Sequence, residues 1–172
     1  MKPEQRIVAV GAASGILAMI VAVWLLTKAL PAPAIADEAG ARLAYALKAN
    51  VFALVPFFVM LITIGNKRFL SDAIDPTRNA ESEAMGIDGR VADNTLQQNL
   101  VFAVASLALS TLVPLGNLQV VWACALWFVI ARCVFWFGYR INALYRAPGM
   151  SGTAYMNLFM ILYVLYRIVA PG

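Results

Sequence analysis

The sequence predicts an all-α integral membrane protein, on three observations. Of its 172 residues, 62% are hydrophobic and only 13% are charged, where a soluble domain is nearer half apolar and a quarter charged. The mean hydropathy is +0.78. The apolar residues fall into five long runs, each broken from the next by Pro, Gly, amide or charged residues. Five spans follow, in two parts: an N-terminal helix and linker over 1–42, and a four-helix membrane domain over 43–172.

The first run, Ile7 to Leu26, is long enough to cross a bilayer. Gly11 and Gly15 form a GxxxG pair, which lets another helix approach closely. Pro31-Ala32-Pro33 stops the helix. Ala34-Ile35-Ala36 resembles a signal-peptide cleavage site. The apolar run exceeds a usual signal core, so a retained helix is the expectation.

The second span is Leu43 to Gly65, with Lys48 placed to snorkel, Asn50 placed to bond another helix, and Pro56 predicting a kink. Asn66 to Gly89 is the only long polar stretch and reads as a solvated loop with a short interfacial helix from Phe69 to Ile74. Val91 to Leu115 is the third span, and Pro114 to Asn117 is a tight turn. Leu118 to Leu144 is the fourth span, Ala147 to Gly152 a loop, and Thr153 to Val169 the fifth span.

Basic residues set the orientation. With a cytoplasmic N-terminus, the inner flanks hold Lys2, Arg6, Lys67, Arg68, Arg78, Arg90, Arg140 and Arg146, and the outer flanks hold Lys28, Arg42, Lys48 and Arg167. The expected location is a cell (inner) membrane of bacterial type. The net charge of +4 is therefore read as topology; no basic patch with interleaved aromatics suggests nucleic acid. There is no histidine, which removes the commonest general base and metal ligand. Cys124 and Cys133 lie nine residues apart in one span, on opposite faces of a helix and about 13 Å apart, too far for a disulfide. No metal site is expected. Asp93, at the start of the third span, is the one acid inside a span on these boundaries, and this scarcity of acids argues against a proton-coupled carrier.

Two polar stripes carry the functional reading. On a helix, Asn94 lies about 40° from Arg90, Gln97 about 20° to the other side, and Gln98 about 80° round. Such a stripe must face other helices, water or a polar ligand. In the fourth span, Arg132, Phe135, Tyr139, Asn142 and Arg146 fall within about 80° of one another. Arg132 is the costly member, since an unpaired guanidinium in hydrocarbon costs at least a few kcal/mol. A cationic cavity for an anionic ligand is one reading. Snorkelling of Arg140 and Arg146, with Arg132 bonded to carbonyls of another helix, is the other.

These stripes resemble the MAPEG family, membrane-associated proteins in eicosanoid and glutathione metabolism. Arg90-x3-Asn94-x2-Gln97 stands where the family's second helix has Arg-x3-Asn-x2-Glu. Phe135-x3-Tyr139-x6-Arg146, with Gly138 in place, stands where its third helix has Tyr-x3-Tyr-x6-Arg. Lys67-Arg68-Phe69 is similar to the basic end of its first helix.

The resemblance implies a MAPEG-type four-helix bundle, with one additional N-terminal helix, assembled as a homotrimer. It implies glutathione bound between subunits near the cytoplasmic side, by Arg90, Asn94, Gln97, Tyr139 and Arg146. Arg68 and Tyr139 would be catalytic, and a lipophilic electrophile or hydroperoxide would enter from the bilayer lipids. Gln97 and Phe135 depart from the family pattern, weakening an ammonium contact and removing a hydroxyl donor. The implied activity is a glutathione-dependent transferase or peroxidase. A non-catalytic scaffold binding a lipid headgroup or other anion is the alternative.

Overall fold

A computed structural model describes residues 1–170. The chain is all-helical. Its main helices are α1 (Pro3–Ala29), α2 (Ala39–Ala53), α3 (Val55–Phe69), α4 (Glu83–Leu112), α5 (Val120–Ile141) and α6 (Ala147–Val169). Because α2 and α3 run on as one rod, five helical stretches among the described residues are long and apolar enough to cross a membrane. The α5 helix lies at the centre and carries the most buried face, including Val121, Cys124, Phe128, Arg132 and Phe135.

Helix α1 begins on Pro3, whose missing N–H falls in the first turn where no intrahelical partner is needed. Its glycine pair packs closely, as expected. A Cβ at Gly15 would run into the Pro148 carbonyl and the Ser151 side chain, and one at Gly11 would lie 3.0 Å from Ala147 Cβ. The partner is α6, and Ser151 Oγ donates to Ala12 O across the seam at 3.0 Å. Helix α1 therefore lies against α6. Between α2 and α3 the rod breaks at Leu54, just ahead of Pro56, which cannot donate to Phe52 O. Leu54 N still donates to Asn50 O at 3.0 Å, so the break is a kink and not a loop. Asn50 Nδ2 reaches Ser106 Oγ on α4 at 2.9 Å, the inter-helix bond expected of it.

Four expected boundaries are corrected. The polar loop does not reach Gly89: α4 starts at Glu83, where Ser82 Oγ accepts from Met85 N at 3.3 Å. That places Asp88 and Arg90 inside the helix, so Asp93 is not the only acid within it. The short helix expected over Phe69–Ile74 is a 3₁₀ turn at Asp72–Ile74, followed by a second at Pro76–Arg78. The fourth span ends at Ile141, not Leu144. Asn142 is extended and its Oδ1 accepts from Leu144 N at 2.8 Å, starting a 3₁₀ turn over Ala143–Arg146.

The loop expected over Ala147–Gly152 is the opening of α6, with Pro148 in its first turn. Its glycines serve packing. A Cβ at Gly149 would meet the α5 backbone at Ala131 and Phe135, and one at Gly152 would lie 2.9 Å from the Trp127 ring.

At the far end of α4, Arg42 Nη1 donates to Ser110 O at 3.0 Å and to Val113 O at 2.7 Å. It thereby caps carbonyls that the helix leaves without intrahelical donors. Asp37 Oδ1 accepts from Arg42 Nε at 2.6 Å.

Candidate functional site

Four of the predicted site residues meet. Arg90 and Asn94 on α4, Tyr139 on α5 and Arg146 on the 3₁₀ turn line one hollow of about 360 Å³, closed by Phe135 and Met150. Arg146 reaches it although α5 has ended. The turn folds back over Gly138, where a Cβ would strike the Tyr145 carbonyl. Arg146 Nη1 donates to Tyr139 Oη at 3.2 Å, and its Cζ lies 5.0 Å from the Tyr139 ring centroid. Tyr139 Oη thus accepts from a cation and retains its own proton to donate. Among the described residues no carboxylate lines the hollow. Arg90 and Arg146 are exposed, so the hollow opens to the surface.

The other two predicted residues are elsewhere in the subunit. Gln97 is exposed and outside the lining. It stands about 10 Å beyond Arg90 along the helix axis. Arg68 is ion-paired with Glu81 and does not line the hollow.

Arg132 is completely buried beneath the hollow. Its Nη1 donates to Asn94 Oδ1 at 2.8 Å, and its Nη2 donates to Gly149 O at 3.1 Å and Thr153 Oγ1 at 2.6 Å. Its Cζ lies 4.4 Å from the Phe135 centroid. The second of the two readings of this residue therefore holds: Arg132 is spent on other helices. It still acts on the site, because it fixes Asn94 through Oδ1 and leaves the amide N–H groups free to point at a ligand. Its Nε, Thr95 Oγ1 and Asn99 Nδ2 have no protein partner among the described residues.

The residue that sequence reasoning missed is Asp88. Its side chain is fully buried, Oδ1 accepting from Arg140 Nε and Trp136 Nε1 at 2.8 Å each, and Oδ2 from Lys67 Nζ at 2.6 Å and Arg140 Nη2 at 2.8 Å. The Arg140 guanidinium also lies 4.6 Å from the Trp136 centroid. One carboxylate thus ties α3, α4 and α5 together. A signal for it exists: Met85, Asp88, Ala92, Thr95, Asn99, Phe102 and Ser106 are buried at spacings of three and four. The buried face of α4 simply continues backwards through the charged stretch.

Neither a family model, nor a curated protein, nor a solved structure matches this chain.

Proposed function

We propose that this chain is a divergent MAPEG-like membrane protein that binds glutathione in the Arg90–Arg146 hollow and acts as a glutathione-dependent transferase or peroxidase on lipophilic substrates. The observation that carries the reading is the convergence of Arg90, Asn94, Tyr139 and Arg146 on one hollow without a carboxylate. Two guanidiniums suit the two carboxylates of glutathione. A cationic wall also favours thiolate over thiol. The Tyr139 hydroxyl, held by Arg146, is a donor to that thiolate.

With an electrophile, the sulfur would form a carbon–sulfur bond as the leaving group departs with its electron pair. With a hydroperoxide, sulfur would take the outer oxygen. The alkoxide released gains a proton, and the thiol of a second glutathione converts the sulfenic acid to disulfide and water. Gln97 and Arg68 enter this scheme only from a neighbouring subunit, so it rests on a homotrimer whose subunits meet beside the hollow.

A second reading is favoured by the same placements. With Gln97 outside the lining, no group in the hollow receives the γ-glutamyl ammonium, so a scaffold that binds another anion fits as well.

Purified protein assayed with glutathione and a chloro-nitroaromatic or lipid hydroperoxide separates the two. A rate that is lost in Arg90→Ala and Arg146→Ala supports the enzyme. No rate and no thermal shift with millimolar glutathione overturns it in favour of the scaffold.

A further inference from the structure

A second, larger hollow lies at the opposite end of the bundle. It is a groove of about 500 Å³ between α1 and the faces of α4, α5 and α6. Leu109 is among its lining and stands fifteen residues beyond Asn94 on α4, about 22 Å further along the axis. Along α1 the groove runs from Met19 to Thr27, about 12 Å, close to half the thickness of a hydrocarbon core.

Its walls change character along that length. The deep part is apolar, with Met19, Val23, Leu109, Met156 and Met160. Thr27, Asn117 and Tyr163 stand at its outer end. Arg167 Nη1 donates to Tyr163 Oη at 3.3 Å, the one side-chain bond of this guanidinium among the described residues. The lining contains no acid. Trp24, 61% exposed, stands on the rim, the kind of residue that collects at headgroup depth.

We propose that this groove binds one acyl chain of an anionic phospholipid, with the lipid phosphate held by Arg167 and the Tyr163 hydroxyl. Shape and charge point to the same occupant. A trench half a bilayer deep, apolar inside and cationic at one end, matches a lipid standing upright beside the bundle. Tyr163 Oη accepts from Arg167 and keeps its proton for a phosphate oxygen, while the remaining guanidinium N–H groups face the same acceptor. Lys28, exposed and next to Thr27 in sequence, adds positive charge at this end and favours an anionic over a zwitterionic headgroup. On the orientation set by the basic residues, the lipid belongs to the outer leaflet.

The site is independent of the arginine hollow, so either can fail without the other. The test is native mass spectrometry of delipidated protein titrated with phosphatidylglycerol or phosphatidylcholine. One phosphatidylglycerol should be retained in preference to phosphatidylcholine, and Arg167→Gln should weaken that retention about tenfold. Val23→Trp should abolish it by filling the trench; should that variant misfold, Arg167→Gln, a change at the helix end, still decides. Equal retention of the two lipids, or full retention by Arg167→Gln, overturns the proposal. So does efficient disulfide cross-linking of Trp24→Cys between copies in membranes, since a second protein chain would then occupy the groove.

Discussion

Two arginine clusters sit side by side near the end of α5, and they are built on opposite principles. Arg140 is closed: it doubly bonds Asp88, whose carboxylate is fully buried and also holds Lys67 and Trp136. Arg146 is open: its side-chain partner is the Tyr139 hydroxyl, and the hollow it shares with Arg90 has no acid. A cation with an internal carboxylate serves architecture. A cation that faces a hollow without one can be spent on something from outside. The difference also shows why the number of arginines near a membrane interface says little until each partner is known.

The largest effect should come from breaking the closed cluster. Asp88→Asn leaves Arg140 and Lys67 without their counter-charge and should cost about 3–5 kcal/mol, read as a large drop in melting temperature in detergent. Arg140→Gln should cost less, about 1–3 kcal/mol, because Lys67 and Trp136 still satisfy the carboxylate. A melt in which Arg140→Gln is the worse of the two would invert this account of the cluster.

The open cluster should behave in reverse. Arg146→Gln should leave thermal stability within about 0.5 kcal/mol while weakening glutathione or other anion binding about tenfold. Calorimetric titration beside the melt would expose any structural role. Ionic strength supplies the mildest test. Added salt should weaken anion binding at the exposed Arg90–Arg146 pair, yet leave the Asp88-dependent stability nearly unchanged. Parallel salt dependence of both would mean that the carboxylate is better hydrated than its burial implies.

Much of the architecture was legible in the residues. Pro56 gave the kink and Asn50 the bond to Ser106, because each has a local cause that neighbours cannot override. Gly11 and Gly15 gave the close seam but not its partner, since a small-residue face fits any helix that comes near.

The boundaries were less legible where charge and packing conflict. Asp88 sits among polar residues and reads as solvated. Only the cations from α3 and α5, distant in sequence, make its burial tolerable. Gly149 and Gly152 read as loop formers because their reason lies on other helices, at Ala131, Phe135 and Trp127. The hollow itself was half legible. A helical wheel places Arg90 beside Asn94 and Arg132 beside Tyr139. It cannot show that Asn142 ends α5, or that Arg132 is consumed by Gly149 and Thr153.

The packing of α1 on α6 has a consequence for biosynthesis. The glycine face of α1 is matched to α6, which is made after the four helices between them, and Arg132 in α5 likewise relies on Gly149 and Thr153 of α6. During translation these helices therefore stay unlatched, with the Arg132 guanidinium short of acceptors, until α6 arrives. A chain truncated before α6 should be held by the insertion machinery or degraded, since nothing earlier in the sequence can bring the bundle to completion.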